Sequence, residues 1–134
     1  QVDLRTAANY VILAKTGIST VPSSSITGNI SVSPAAGTDM TGFSFDKSTN
    51  VFWTSSQITG FALSSTHSTP TPAILTTAVS DMETAYTNAS QRNNTEGYNL
   101  GGGNLGGLTL TPGVYTFGTD INIYSDITFF GGPT

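Results

Sequence analysis

The chain has 134 residues, of which only 9% are charged, against about 25% in an average soluble domain, and its net charge is −4. Four basic residues are too few to bind nucleic acid, and no apolar run approaches the ~20 residues of a transmembrane helix. The absence of cysteine excludes disulfides and thiolate metal sites. A hydrophobic fraction of 37%, together with abundant Thr, Ser and Gly, predicts one packed, mostly β domain.

The first half of the chain predicts strands separated by turns. The apolar run ANYVILA at 8–14 predicts a buried strand, and the Val21-Pro22 step predicts a break after it. Three later stretches share an apolar residue, then Thr-Gly, then an alternating run: ITGNISVS (26–33), MTGFSFDK (40–47) and ITGFALSS (58–65). Such a degenerate repeat is typical of stacked solenoid coils, but three ordinary strands of a β-sandwich fit it equally well.

Residues 70–92 predict the one long helix. Thr71 is predicted as its N-cap and Pro72 as its first helical residue. Apolar residues follow at helical spacing from Ile74 to Tyr86, while hydroxyls and carboxylates occupy the other face. We expect this amphipathic helix to lie along a sheet and cover it.

The last third of the chain predicts a loop followed by strands. The segment 92–107 is rich in Gly and Asn, which tolerate positive φ, and its GGGNLGG run lacks the lysine of a phosphate-binding loop. Period-2 alternation then predicts three short strands at 107–111, 114–117 and 121–130.

The inventory of reactive side chains argues against an enzyme. The single histidine, His67, lies in a polar stretch where we expect it to be solvated. Asp81 and Glu83 are two apart on the predicted helix and do not face each other as an acid/base pair. No cluster of His, Asp or Glu has metal-ligand spacing. The sequence therefore predicts no catalytic residues, no metal and no cofactor.

What remains is a large neutral surface of Thr, Ser, Ala, Gly and Asn on strands. Small apolar groups interleaved with weak hydrogen-bonding groups can hold an ordered layer of water, whereas charges would disrupt that layer. A level, nearly ion-free face of this kind is the physical requirement for adsorption to ice. An ice surface or its ordered water is therefore one partner that such a face would suit.

Several long segments carry a resemblance to a known family: TAANYVILAKTGISTVPSSSITGNISVSPAAGTDMTGF, PTPAILTTAVSDMETAYT and NLGGLTLTPGVYTF. They resemble the ice-binding (antifreeze) protein family of the DUF3494 type, found in cold-adapted bacteria, snow-mould fungi, yeasts and diatoms. The resemblance covers essentially the whole chain. It implies an irregular right-handed β-helix with one long amphipathic α-helix packed alongside. It also implies secretion, ice binding, thermal hysteresis and inhibition of ice recrystallisation, without enzymatic activity or cofactor.

The resemblance also suggests where ice is bound. In that family one flat side of the β-helix is the ice face, and the segment matching MTGF carries over to Thr41. The segment matching TDINIYSD points to Asn122. Thr27 and Thr59 are added by extrapolation from the other two Thr-Gly pairs.

Three sequons bear on localisation. They place candidate N-glycosylation at Asn29, Asn88 and Asn93. The chain starts at Gln1 rather than Met, which fits a mature secreted form, so we expect an extracellular protein.

The resemblance further implies that more coils follow ITFFGGPT in related domains. We therefore expect residues 1–134 to be a single but incomplete β-helix domain. Its C-terminal coils are then supplied by a second chain, or they are missing because the chain is a fragment or an unusual short form. Two other functions stay open. One is a carbohydrate-binding or adhesive cell-surface module, using aromatic residues (Trp53, Tyr10, Tyr98, Tyr115, Tyr124). The other is a β-helix hydrolase, which the scattered carboxylates disfavour.

Overall fold

A computed structural model describes residues 1–131 of the chain. The chain divides into two compact units, Gln1–Ala89 and Ser90–Thr134, and we describe each by itself. The expectation of a single, incomplete domain over residues 1–134 stays a prediction. Its last three positions, residues 132–134, lie outside the described residues.

The first unit is built from five short strands and two 3₁₀ turns. A three-stranded parallel sheet has the order β1-β3-β5, and a separate parallel pair joins β2 to β4. The strands are β1 (Ile12–Ala14), β2 (Ile18–Ser19), β3 (Ile30–Val32), β4 (Met40–Thr41) and β5 (Ala62–Ser64). The 3₁₀ turns are Arg5–Asn9 and Gly37–Asp39.

Parallel pairing decides between the two interpretations of the Thr-Gly repeat. Ile30 pairs with Ile12 on one side and with Ala62 on the other, so residues 12–29 form one coil and residues 30–61 the next. We call these the first coil and the second coil. A sandwich would pair its strands antiparallel, so the sandwich interpretation is wrong for the named strands, all of which pair in parallel.

The prediction of a mostly β chain is confirmed only in part. Each strand is two or three residues long, and the strands form three separate small sheets rather than one continuous solenoid sheet. The run 8–14 is strand only from Ile12 onward, because a 3₁₀ turn precedes it. Turn-forming residues, such as Pro34 after β3 and Gly42 after β4, interrupt each ladder after a few residues.

The core of the first unit lies on one side of these strands. Ile30 and Val32 of β3 are fully buried among Met40, Phe43, Ile58 and Ala62. The aromatic residues extend this cluster, since the Phe43 and Phe45 rings stack with their centroids 5.1 Å apart and Phe45 lies 5.4 Å from Trp53. Ser31, which alternates with Ile30 and Val32, is also fully buried, so the opposite face of β3 is covered too.

The predicted helix is confirmed as α1 (Thr71–Ser90), with Leu75, Ala78 and Ala85 buried. The prediction that Thr71 is its N-cap is wrong. Thr71 is the first residue of the helix, and its hydroxyl donates to the carbonyl of Val51 at 3.1 Å, because the buried side chain finds a carbonyl of the preceding loop.

Polar contacts fix α1 to the start of the chain. The backbone N–H and the hydroxyl of Thr6 both donate to the Asp81 carboxylate, at 3.1 and 2.5 Å. The Lys15 ammonium pairs with the Glu83 carboxylate at 2.5 Å. The Thr6 hydrogen bonds lower the pKa of Asp81, with a smaller contribution from the Arg5 guanidinium 3.6 Å away.

The second unit repeats parallel pairing on a smaller scale. It contains a 3₁₀ segment (Leu100–Gly103) and one parallel pair, β6 (Thr109–Leu110) with β7 (Thr128–Phe129). Parallel bridges join Tyr98 to Thr116 and Asn104 to Asn122. Of the strands predicted here, 107–111 and 121–130 are strand only at β6 and β7, and 114–117 is reduced to the Thr116 bridge.

His67 is buried rather than solvated, which corrects the sequence prediction. Its side chain is only 7% exposed. The ring meets Trp53 edge-on with centroids 4.9 Å apart, and Nδ1 accepts a hydrogen bond from the Ser64 N–H at 3.1 Å. Burial lowers the pKa of His67, because the charged imidazolium loses its hydration.

This environment predicts that acid destabilises the protein through His67. The unfolded chain takes up a proton near the ordinary pKa of 6.5, whereas the folded chain takes it up only at lower pH. We therefore expect the free energy of unfolding to be constant above 6.5 and to fall as the pH drops below it. Denaturant titrations followed by Trp53 fluorescence, at about pH 7.5 and about pH 5.5, measure this difference.

A His67→Gln variant is the control, because glutamine does not titrate and its carbonyl can still accept from the Ser64 N–H. Its stability is expected to change little across the same interval. Asp81 does not interfere, since its lowered pKa affects stability only below the ordinary value of 3.8. An equal pH dependence in the variant and the parent protein would show that His67 is not responsible.

Candidate functional site

The described residues contain no cluster of potential metal ligands. Within residues 1–131 no group of three or more His, Asp or Glu side chains is placed to hold a metal ion. Among the helices of that range, none combines the length and the apolar character needed to cross a membrane. The residues predicted to bind ice lie at or beside the short strands and bridges, and their surroundings are described in turn.

Thr41 lies at the end of β4, directly beside Ser19 of β2. Both side chains are exposed, while their strand neighbours Met40 and Ile18 turn toward the core. The Thr20 N–H donates to the Thr41 carbonyl at 3.1 Å and so fixes the register of this pair. Within the described part of the chain, neither hydroxyl makes a side-chain hydrogen bond. The Ser19–Thr41 pair therefore presents two hydroxyls to water on strands ~4.8 Å apart.

The charged side chains that are close to the Ser19–Thr41 pair in the sequence are bonded to other groups. Lys15 is paired with Glu83 on α1. The Asp39 carboxylate turns back to accept the N–H of Ala36 at 3.0 Å, and Asp46 accepts from Ser48 at 2.9 Å. No other charged residue lies within five positions of Ser19 or Thr41 in the sequence. Each charged side chain that is close to the pair in the sequence therefore has a bonding partner of its own.

Thr27 and Thr59 form a second pair, beside the parallel bridge between Ile26 and Ile58. Both threonines are exposed. The Thr59 hydroxyl, however, accepts the backbone N–H of Gly28 at 3.1 Å, so it takes part in stacking the second coil on the first. The Thr59 hydroxyl therefore has a hydrogen-bond partner within the fold, whereas the Thr41 hydroxyl has none among residues 1–131.

Asn122 belongs to the second unit, where it is exposed beside Asn104. Its backbone N–H donates to the carbonyl of Gly103 at 2.8 Å, and its carbonyl accepts from the Leu105 N–H at 2.9 Å. The Asn104 side chain accepts the N–H of Gly106 at 3.1 Å. The bridge thus aligns two amide side chains on successive stretches of the second unit.

Of the three predicted ice-binding residues in the first unit, the structure brings two together. Thr27 and Thr59 are neighbours, whereas Thr41 belongs to a different strand pair and Asn122 to the other unit. The sequence reasoning missed Ser19, the partner of Thr41. The match of Ile12 to Ile30, eighteen residues later, could have indicated stacked coils, but Ser19 and Thr41 are separated by a longer interval.

The three sequons differ in their surroundings. The Asn29 amide nitrogen donates to the Asn9 carbonyl at 3.3 Å, and its oxygen accepts from the Phe61 N–H at 3.0 Å. A glycan on the Asn29 amide nitrogen would disturb these contacts with Asn9 and Phe61. Asn88 and Asn93 are exposed. Use of any of the three sites stays a prediction, and the two hydrogen bonds of the Asn29 side chain count against that site.

Comparison with known sequences gives one consistent family. The sequence profile of a family described as "Ice-binding-like" matches residues 12–134. Ice-binding protein K3-B1 of Typhula ishikariensis is 49% identical over 134 residues, which cover 99% of this chain and 55% of that protein. An ice-binding protein of Lentinula edodes is 52% identical over 130 residues, covering 96% of this chain and 45% of that protein. The chain spans about half the length of the curated relatives it matches.

A solved structure extends the similarity to the fold. The ice-binding protein LeIBP from Arctic yeast, whose structure is described as the basis of its antifreeze activity, superposes with a TM-score of 0.88 at 43% identity. The match covers 99% of this chain and 58% of that one.

Proposed function

The chain belongs to the ice-binding-like family, and on that premise we propose that it adsorbs to ice through exposed, uncharged side chains on its strands. The observation that carries this proposal is the Ser19–Thr41 pair, exposed and without side-chain hydrogen bonds inside residues 1–131. In the first unit Thr27 and the methyl group of Thr59 are proposed as further contacts, and Asn122 is proposed as a separate contact in the second unit. Adsorption gives thermal hysteresis and slows recrystallisation.

The chemistry of these side chains suits ordered water. A threonine offers a hydroxyl that donates and accepts, together with a methyl group that does not compete for hydrogen bonds. Waters held between such groups bridge them at little cost in free energy. Nearby charges engaged with their own partners leave this layer less disturbed. The protein then binds ice through a layer of water whose order already resembles the ice lattice.

We propose that the complete fold is an irregular right-handed β-helix with α1 alongside. Parallel partners eighteen or nineteen residues apart support this in both units (12 to 30, 98 to 116, 104 to 122, 109 to 128). Parallel crossovers of this kind are almost always right-handed. The likeness to LeIBP supports the same architecture.

We also propose that the protein is secreted, has no enzymatic activity and uses no cofactor. The names of its relatives describe ice binding and support a role that needs no reactive groups. The alternative of a carbohydrate-binding module is less well supported. Trp53, its best aromatic candidate, is half-buried, with the Lys47 ammonium 4.3 Å above the ring and His67 at its edge.

The test is partition into ice. A slowly growing ice front should retain this protein and exclude a fluorescent control protein of similar size. A freezing-point gap and shaped crystals under the microscope should accompany that retention. Exclusion from the ice front, together with no gap at high concentration, would disprove the proposal.

The second unit exposes large apolar side chains that further coils could bury. Phe129 is 76% exposed and Phe130 66%, and Ile121 and Ile123 are also exposed. We propose that further coils, from the same polypeptide or from a second chain, pack on them. Residues 1–134 on their own are expected to self-associate, because β7 pairs only with β6 among the described strands and the exposed apolar side chains beside it can pack on another copy.

Light scattering at increasing concentration measures this self-association. Phe129→Ser is expected to reduce it, because one large apolar side chain is removed from the patch. Tyr86→Ser, which removes an equally exposed aromatic from α1, should leave it unchanged. A monodisperse species of 13.9 kDa at all concentrations would contradict the expectation.

A further inference from the structure

The second coil contains an excursion that the first coil lacks. In the first coil, β2 ends at Ser19 and the Ile26 bridge follows soon after. In the second coil, residues 42–57 lie between the end of β4 and the matching bridge at Ile58. The excursion is closed by an antiparallel bridge between Asp46 and Thr54 and carries the aromatic residues of the core. It leaves the coil immediately after Thr41.

Gln57 stands where the excursion rejoins the coil, and all its polar groups are used. Its side-chain nitrogen donates to the Gly42 carbonyl at 2.9 Å, and its side-chain oxygen accepts the Ser24 N–H at 3.1 Å. Its backbone carbonyl accepts from Ile26 at 2.9 Å, and its N–H donates to the Ser55 hydroxyl at 3.2 Å. One half-buried residue therefore joins both ends of the excursion to the first coil.

The same network reaches the Ser19–Thr41 pair. The Ser24 hydroxyl shares a hydrogen bond with the Thr20 hydroxyl, and the Thr20 N–H donates to the Thr41 carbonyl. Gly42 lies so close to Thr20 that a Cβ at position 42 would fall on the Thr20 carbonyl oxygen. The Thr41 carbonyl is therefore held by Thr20 of the first coil. The next residue, Gly42, is held by Gln57, whose side chain is bonded in turn to Ser24 of the first coil.

We propose that Gln57 is a positioning residue for ice adsorption: its amide fixes the Thr41–Gly42 corner against the first coil and thereby sets the place of the Thr41 hydroxyl beside Ser19. This inference rests on the proposed function of the Ser19–Thr41 pair. Gln57 itself does not touch ice. Only a side chain that donates at one end and accepts at the other satisfies both Gly42 and Ser24.

Glutamate at position 57 tests this requirement through pH. In Gln57→Glu the ionised carboxylate still accepts from Ser24 but has no proton for the Gly42 carbonyl, and two acceptors then face each other. Below the ordinary glutamic acid pKa of ~4.3 the carboxyl regains a donor. The freezing-point gap of the variant, relative to the parent protein at the same pH, is expected to fall several-fold at about pH 7 and to recover at about pH 3.5.

Two further variants sharpen the experiment. Gln91→Glu adds the same charge at an exposed site and should keep the parental gap at both pH values. Gln57→Ala has no group to titrate, and its reduced gap should not recover in acid. Recovery of the gap on protonation would show that the hydrogen bond donated to the Gly42 carbonyl, and not the volume of the side chain, is what the gap depends on. A parental gap in Gln57→Glu at neutral pH, or a loss independent of pH, would overturn the proposal.

Amide hydrogen exchange separates this inference from the proposed function. The N–H group of Thr20, which donates to the Thr41 carbonyl, is expected to exchange several-fold faster in Gln57→Glu at neutral pH, whether or not the protein binds ice. If the parent protein shows no freezing-point gap, the proposed function fails, and this exchange rate still decides the role of Gln57. A parental rate at the Thr20 amide would overturn it.

Discussion

Replacing Thr41 by tyrosine is expected to reduce the freezing-point gap several-fold while leaving the fold intact. The Thr41 side chain is exposed and makes no side-chain hydrogen bond with residues 1–131, so a larger side chain displaces no internal contact. A phenol at this position rises above Ser19 and prevents water from bridging the two strands. Measurements of the gap over a concentration series, together with circular dichroism and thermal unfolding, test both halves of the expectation.

The matched control is Thr76→Tyr on the exposed side of α1. It introduces the same ring on the same unit but away from the strand hydroxyls, so the gap should stay at the parental value. Thr27→Tyr asks whether the Thr27–Thr59 pair also contacts ice, and a smaller reduction is expected there. If Thr41→Tyr and Thr76→Tyr give the same gap, Thr41 is not part of the adsorbing surface.

The largest loss of stability is expected from Gly42→Ala. Gly42 has a φ of +86°, which L side chains rarely adopt, and its missing Cβ leaves room for the Thr20 carbonyl of the first coil. An alanine must therefore strain the backbone and push the two coils apart. We expect a loss of about 3 kcal/mol or more in the free energy of unfolding. Urea denaturation followed by Trp53 fluorescence measures it.

Gly28→Ala is the appropriate comparison because it lies in the same unit and also has a positive φ, of +123°. A Cβ there meets only the Val11 side chain, at 3.3 Å, which can move aside. The loss at Gly28 should therefore be smaller than at Gly42. Equal losses would indicate that φ alone, and not the contact with Thr20, determines the cost.

The long helix could be predicted from the sequence almost to the residue. Apolar side chains at helical spacing and Pro72 in the first turn are local signals, and they act within α1 itself. The cap assigned to Thr71 failed because the competing acceptor, the Val51 carbonyl, lies twenty residues away in the sequence. Local pattern thus located the element but not the partner of its first side chain.

The Thr-Gly repeat shows a different limit. The repeat grouped Thr27, Thr41 and Thr59, but the fold pairs Thr41 with Ser19. The excursion at 42–57 lengthens the second coil, so partners across the coils do not recur at a fixed spacing. Part of the repeat also has a structural cause, because the Thr59 hydroxyl accepts from Gly28. Spacing alone could not separate that role from exposure to ice.

His67 was misjudged for a related reason. Its neighbours in the sequence are serine and threonine, which suggest a solvated loop. Burial comes from Trp53, which the antiparallel turn of the excursion brings to the ring. A contact between residues this far apart leaves no local pattern to read.

The hairpin-like tip of the excursion also provides a labelling site for imaging. Ser48 is exposed there, beyond the Asp46–Thr54 bridge, and the chain contains no cysteine. A Ser48→Cys substitution therefore gives a single thiol for a dye or for tethering to a bead. Molecules labelled at this point could be followed one by one as an advancing crystal overtakes them.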